Sequence, residues 1–279
     1  MSMLSRFQKM NPKVLYLLVL VVVGLPLIRP INLPIGVSRY TELFHSQVES
    51  LKPGDVVLVS LCFASAKAPE FYPQMVAALQ HLIMKKASMV FVCWLPEVTP
   101  FTGRLFTDLS FDKRGLKYGT DYVDFGLIAG TATAMAAFAR DVHKTAPADV
   151  RGTLVGDLPL MAKVKMATDF HLLMSFISIY TEDFIGQVQT PYKLPLVTGT
   201  DGVSFAGTLP YLASGQIRGI LNSMVGTAEY EKLLKMPGKG TSYMDAQQLS
   251  HVLIITLIVL GNIALASTRA LERSRRTKE

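Results

Sequence analysis

The chain has 279 residues, of which half are hydrophobic and 18% are charged, an apolar composition for a soluble protein. Its formal net charge of +7 comes entirely from the ends: residues 1–37 carry +4 and residues 249–279 carry +3. The 19 basic and 19 acidic residues between them cancel, so the middle of the chain lacks the positive charge of a nucleic-acid-binding protein. We therefore expect no nucleic-acid partner.

An uncharged apolar run extends from Val14 to Ile28. As a helix it covers about 22 Å, so flanking residues must help it cross a hydrocarbon core of about 30 Å. A cleaved signal peptide is the competing interpretation, but Arg29-Pro30 follows the run in place of small cleavage-site residues. The sequence therefore favours an uncleaved signal-anchor helix over residues 14–30, preceded by a cytoplasmic tail of residues 1–13.

Short apolar runs alternate with longer amphipathic stretches through the middle of the chain. Predicted strands cover residues 55–62, 88–95, 122–127, 170–179 and 194–198, and predicted helices cover residues 70–86, 101–115, 131–144, 182–190 and 215–235. Continuous β-branched runs joined by crossover helices indicate a mostly parallel sheet covered on both faces. The expected fold over residues 38–245 is an α/β, Rossmann-like or flavodoxin-like three-layer domain.

A second apolar run covers residues 249–267, enough for about 28 Å of helix, and is followed by a basic tail of residues 268–279. The basic flanks of the two runs lie at their outer ends, which by the positive-inside rule puts both termini in the cytoplasm. We therefore expect a transmembrane helix on each side of the α/β domain, in the plasma (inner) membrane, with that domain outside the cytoplasm.

In parallel sheets of this kind, ligands bind at the carboxyl ends of the strands. The loops expected there supply these candidate ligand-binding residues: Cys62, Ser65, Glu97, Thr200, Asp201, Ser214 and Gln216. The sequence favours a simpler interpretation, in which these residues only form turns and helix caps. No catalytic residue can be assigned.

The two cysteines, Cys62 and Cys93, end two strands that we expect to be neighbours. Adjacent strands lie about 4.8 Å apart, within reach of a disulfide. Ordinary buried thiols are the first interpretation, a disulfide comes close behind, and a nucleophilic cysteine comes last because no histidine is placed nearby.

The signatures of common cofactor sites do not occur. There is no G-x-x-x-x-G-K-[ST], no G-x-G-x-x-G after a strand and no H-E-x-x-H, and the five histidines are scattered. We therefore expect neither a cofactor nor a metal site.

Four segments carry a family resemblance: LKPGDVVLVS at residues 51–60, QVQTPYKLPLVTGT at 187–200, LPYLASGQIRGILNSMVGTAEYEKLL at 209–234 and MDAQQLSHVLIITLIVLGNIAL at 244–265. In these the chain resembles a family of uncharacterised prokaryotic membrane proteins, with residues 214–234 the most specific part. The resemblance implies the two-helix architecture with a Rossmann-like ectodomain, and it implies no activity.

Two functions are compatible with these features. The first is a non-enzymatic scaffold or accessory subunit of a larger membrane complex, with protein partners or self-association beside its contact with the bilayer. The alternative is a small-molecule-binding or enzymatic domain with its site at the carboxyl ends of the strands.

Overall fold

The computed structural model describes residues 11–276, with side chains described as far as residue 270. It divides into two compact units: Ile35–Gly240, and the described parts of Met1–Pro34 and Thr241–Glu279.

The unit Ile35–Gly240 alternates strands and helices, as predicted. Its strands are β1 (Val56–Cys62), β2 (Ser88–Cys93), β3 (Tyr122–Leu127), β4 (Leu172–Ile177), β5 (Leu196–Thr200) and β6 (Ile220–Asn222). Its helices are α2 (Arg39–Glu49), α3 (Ala68–Lys85), α4 (Thr99–Asp108), α5 (Ala132–Arg140), α6 (Val142–Thr145), α7 (Thr181–Phe184), α8 (Thr190–Tyr192), α9 (Phe205–Ala213) and α10 (Ser223–Leu234), with a π-helical turn at Ile185–Gln189 between α7 and α8.

Within the described chain the strands form one six-stranded sheet in the order β3-β2-β1-β4-β5-β6, and every pairing is parallel. This is the doubly wound order, in which crossover helices leave β1 toward one edge and β4 toward the other. The topological switch point therefore lies between β1 and β4. The expectation of a parallel α/β sheet is confirmed.

Two hydrophobic clusters cover the two faces of the sheet, because alternate residues of each buried strand point to opposite sides. Helices α2, α3, α4 and α10 pack on one face, where Phe44, Phe71 and Tyr230 are fully buried. Helices α5, α7 and α9 pack on the other, around Phe138 and Phe184. The three-layer arrangement explains why the strands are almost continuously apolar.

The predicted helix over residues 215–235 is wrong in its first half. Residues Ile220–Asn222 form the edge strand β6, paired with β5, and the helix begins only at Ser223. The structure also has two helices, α2 and α9, for which no prediction was made. A three-residue strand is too short to show a period of two, so its apolar residues were attributed to the helix that follows.

The other unit contains α1 (Pro12–Ile28) and most of α11 (Lys239–Arg276). Of the described helices, only the segment Lys239–Ala270, with 32 residues, is long and apolar enough to cross a membrane. Its most apolar window of 18 residues has a mean hydropathy of 2.2 and is 6% buried. Helix α1, with 17 residues, falls short of that length. The prediction of a spanning helix at each end is thus matched at the carboxyl end alone.

One buried carboxylate organises this unit. Asp245 is 1% exposed, and its Oδ2 accepts hydrogen bonds from the backbone N–H groups of Ile31 and Asn32 at 2.6 and 2.9 Å. Its Oδ1 accepts a third from Leu33 at 2.9 Å. Asn32 has a φ of 62°, so the chain curls around the carboxylate. The segment that follows α1 is thereby bonded to α11, four residues before the apolar run that starts at residue 249.

Candidate functional site

Five of the seven predicted ligand-binding residues lie at the carboxyl edge of the sheet. Cys62 ends β1, Ser65 follows in the next turn, and Glu97 lies in the turn after β2. Thr200 ends β5 and Asp201 comes next. The parallel topology brings these loops together, since all the strands end at the same edge.

The two remaining residues, Ser214 and Gln216, lie at the opposite edge. Helix α9 runs back across the sheet before them, so they precede β6 rather than follow β5. Ser214 caps the carboxyl end of α9, and its hydroxyl donates to the carbonyl of Tyr211 at 3.0 Å. The amide of Gln216 donates to Oγ1 of Thr190, which begins the short helix before β5. The prediction that these two residues lie at the carboxyl edge is therefore corrected. It assumed that β5 was the last strand, whereas β6 follows them.

Hydrogen bonds join the loops that meet at the switch point. Ser178, which follows β4, donates its backbone N–H to the carbonyl of Cys62 at 3.1 Å. Its hydroxyl accepts from the backbone N–H of Ala64 at 3.4 Å, and its carbonyl accepts from the hydroxyl of Ser204 at 3.0 Å. Ser178 therefore connects the loops after β1, β4 and β5 directly.

A carboxylate occupies the turn after β1. Glu97 Oε1 accepts a hydrogen bond from the backbone N–H of Ser65 at 3.0 Å. In doubly wound folds that bind nucleotides, the N–H groups of this turn and of the following helix hold the phosphates. Here one of them is bonded to an acidic side chain of the same chain.

Asp201 organises the loop after β5. Its carboxylate is 1% exposed, and Oδ1 accepts from the backbone N–H groups of Val203 and Ser204, both at 2.8 Å. Its Oδ2 lies 3.5 Å from Nζ of Lys67, a partly exposed cation in the loop after β1. The side chain thus closes its own turn and pairs with one neighbouring charge.

The prediction missed two polar residues of α3 at this edge, Glu70 and Gln74. Glu70 Oε2 accepts from the hydroxyl of Ser223 at 2.5 Å and from the backbone N–H of Gly202 at 3.1 Å. The buried Gln74 donates to the carbonyl of Thr200 at 2.9 Å, while its Oε1 is a buried acceptor without a partner among the described residues. The sequence did contain one signal for them, since Glu70 and Gln74 lie four residues apart in the first turns of the helix that follows β1.

Both cysteines are free, buried thiols. In the register of the sheet, Leu61 pairs with Cys93, so Cys62 and Cys93 differ by one position and their side chains belong to the clusters on opposite faces. Burial raises the pKa of the Cys62 thiol to about 12 and also raises that of Cys93. Of the three interpretations, the structure therefore agrees with buried thiols and not with a disulfide.

A group of metal-ligating side chains lies away from this edge. His45 and Glu49 on α2 and His81 on α3 each offer one ligand atom, and these atoms lie within 4.8 Å of one another. In the sequence the histidines are scattered: His81 is 32 residues from Glu49, and only the packing of α2 on α3 joins them. The spacing of His45 and Glu49, one helical turn apart, was the signal present in the sequence.

These features define the protein's class by fold alone: an α/β domain with a doubly wound, Rossmann-like parallel sheet. No protein-family model matches the chain, and none of the curated proteins matches it either.

Proposed function

We propose that the chain is a membrane-anchored, non-enzymatic scaffold or accessory subunit of a larger membrane complex. Its Rossmann-like domain is held outside the cytoplasm by two helices that cross the plasma membrane, and both termini are cytoplasmic. Helix α11 is long enough to cross by itself, whereas α1 would need the residues that flank it. It works by presenting that domain to a protein partner or to another copy of itself.

The observation that carries this proposal is the bonding of the turn after β1. The Ser65 N–H donates to the Glu97 carboxylate and the Ala64 N–H donates to the Ser178 hydroxyl. A phosphate or carboxylate ligand would have to displace both bonds and approach a fixed negative charge. The carboxyl edge is therefore organised to stabilise its own loops, which suits a binding module better than a nucleotide-dependent enzyme.

The anchor is supported by the Asp245 contacts. Three hydrogen bonds connect the residues after α1 to the residues just before the apolar run of α11. In the proposed topology, two helices joined in this way leave the bilayer on the same side, so their other ends lie on the opposite side of the bilayer. The basic residues at those other ends favour the cytoplasm.

Native mass tests the scaffold proposal. The chain is extracted from its own membrane in mild detergent, and an unrelated two-span protein of similar size is extracted in parallel. We expect a particle much larger than one chain with its detergent, containing the same partner, or further copies of the chain, at a constant ratio. A solitary monomer would contradict the proposal.

Cysteine labelling tests the orientation independently. Lys113 is exposed on the α/β domain, and Arg269 is exposed at the end of the apolar run. With the native thiols buried, a membrane-impermeant maleimide added to intact cells should label the Lys113→Cys variant. The Arg269→Cys variant should react only after the membrane is permeabilised. The reverse pattern would place the domain in the cytoplasm.

A small-molecule site remains the second candidate, because the fold brings five of the predicted residues to one edge. Lys67 is the partly exposed cation there and would contact an acidic ligand. Thermal unfolding with a panel of acidic metabolites should then show stabilisation that Lys67→Met removes. Gln216→Ala, at the opposite edge, is the matched control. The absence of any stabilisation in the unmodified protein would contradict this candidate.

A further inference from the structure

Three helices on one face of the sheet meet around a group of polar side chains. His45 and Glu49 occupy successive turns of α2, His81 lies near the end of α3, and Tyr230 lies on α10. His81 is only 1% exposed, whereas Glu49 is half-exposed. The group therefore reaches from the helix–helix interface to solvent.

The imidazole of His81 is held at both of its nitrogens. Nε2 lies 2.8 Å from Glu49 Oε2, and Nδ1 lies 2.6 Å from the Tyr230 hydroxyl. The ring of His45 lies over that of His81, with centroids 4.9 Å apart and a tilt of 31°. The ring of His45 also contacts that of Tyr230, and among the described residues the nitrogens of His45 take part in no hydrogen bond.

We propose that His45, Glu49 and His81 bind one Zn²⁺ ion, with the remaining coordination position open to water. Two imidazoles and one carboxylate are a donor set that Zn²⁺ accepts in proteins, and a water molecule would complete its tetrahedral coordination. The ion would connect α2 to α3.

The donor atoms need a small adjustment to surround an ion. Zn–N and Zn–O bonds of about 2.0–2.1 Å separate tetrahedral donors by about 3.4 Å. The present His81–Glu49 contact of 2.8 Å must open slightly, and the widest separation, within 4.8 Å, must close. Glu49 can make this change, because it is half-exposed. His81 stays in place, because the Tyr230 hydroxyl holds its second nitrogen, as an outer partner does in metal sites.

The second oxygen of Glu49 has a partner of its own. Lys85 contacts Oε1 of Glu49 at 3.1 Å, so Oε2 is the oxygen that faces His81 and the ion.

A histidine–carboxylate pair alone would not support a metal site. The chain contains such a pair elsewhere, with His171 Nε2 3.2 Å from Asp55 Oδ1. Among the described residues, only the His45–Glu49–His81 group has a third donor in range. The His171 pair is therefore the matched control.

Zinc titration of the full-length, untagged protein in detergent tests the proposal, after treatment with a chelator. Competition with a chromophoric chelator gives the affinity, and thermal unfolding gives the accompanying stabilisation. We expect one ion per chain and a rise in Tm. His45→Gln and Glu49→Gln should each weaken binding by about 10-fold or more, and Tyr230→Phe by about 10-fold. His171→Gln should change neither readout.

His45→Gln and Glu49→Gln alter side chains that are not fully buried, so these variants keep the test valid if a His81 variant fails to fold. Co²⁺ in place of Zn²⁺ should give intense visible bands in the unmodified protein, and these bands should be lost in both variants. Folded protein that binds no Zn²⁺ would overturn the proposal, as would binding that both variants leave unchanged.

Discussion

The carboxylate of Glu97 accepts a hydrogen bond from the backbone N–H of Ser65, across the carboxyl ends of β1 and β2. Both residues are exposed, so the bond is a modest stabiliser of the turn. Its larger consequence is electrostatic, because an acidic group lies where a phosphate would bind in a nucleotide-dependent relative of this fold.

Removal of that carboxylate should have a small effect on stability. We expect Glu97→Ala to lower the free energy of unfolding by about 0.5–1 kcal/mol, since one exposed hydrogen bond is lost. Glu97→Gln keeps an acceptor oxygen and should lie closer to the unmodified protein. Thermal unfolding of the three proteins in one detergent measures the difference. A larger loss in the glutamine variant than in the alanine variant would contradict the assignment of this bond.

Asp245 should be required for the order of the segment after α1. Asp245→Asn turns one acceptor oxygen into an N–H donor that faces backbone N–H groups, at a cost of about 2–3 kcal/mol. Amide exchange over residues 31–33, followed by mass spectrometry, should become about 30-fold faster or more. Asp112→Asn, which changes an exposed carboxylate, should leave that exchange unchanged. Unaltered exchange in the Asp245 variant would contradict the bonding described.

Gly199 should not tolerate a side chain. A Cβ at this position in β5 would contact Gln74 Oε1 and lie 2.6 Å from Cδ1 of Phe176. We expect Gly199→Ala to lower stability by about 1–3 kcal/mol, the usual cost of overpacking a core. Gly207→Ala is the control, because nothing lies within 4 Å of the added atom and alanine favours helix α9. Equal melting temperatures for the two variants would contradict the packing around β5.

Stability should depend on pH through Asp124. Burial raises the pKa of this carboxyl in the folded protein, so its ionised form lowers stability at neutral pH. As the pH falls through the pKa of Asp124 in the folded state, the folded protein binds the proton before the unfolded chain does, and the destabilisation by the buried carboxylate decreases. The destabilisation is gone below the pKa of Asp124 in the unfolded chain, about 3.9. Asp124→Asn should therefore raise the Tm at pH 7, and the gain should shrink toward pH 4. A gain that is independent of pH would contradict this explanation.

The two thiols should be unreactive in the folded protein. Burial raises the pKa of Cys62 to about 12 and raises that of Cys93, so neither forms the thiolate that an alkylating reagent attacks. At pH 8, iodoacetamide should leave both unmodified until the protein is unfolded, and both should then react without a reductant. Alkylation that requires a reductant would indicate a disulfide.

The sequence was sufficient for the elements whose own residues carry a strong pattern. Strand β3 lies at the predicted residues Tyr122–Leu127, and β1 begins one residue later than predicted. In β1 the reason is a run rich in valine, which has few alternatives to a buried strand. The apolar composition of residues 249–267 was likewise enough to predict a long helix, and the run lies within α11. Strand β6 is the counterexample, since its three residues are extended only because they pair with β5.

The tertiary structure decided which polar residues meet. The sequence was enough to place five candidate residues at one edge of the sheet, because parallel strands end together: Cys62, Ser65, Glu97, Thr200 and Asp201. It placed Ser214 and Gln216 at that edge wrongly, because strand β6 was not predicted. The partners of those residues, Ser178, Glu70 and Gln74, and the group formed by His45, Glu49 and His81, depend on contacts between segments distant in the chain. Local periodicity reports which face of an element is buried, and it contains no information on which distant side chain that face will meet.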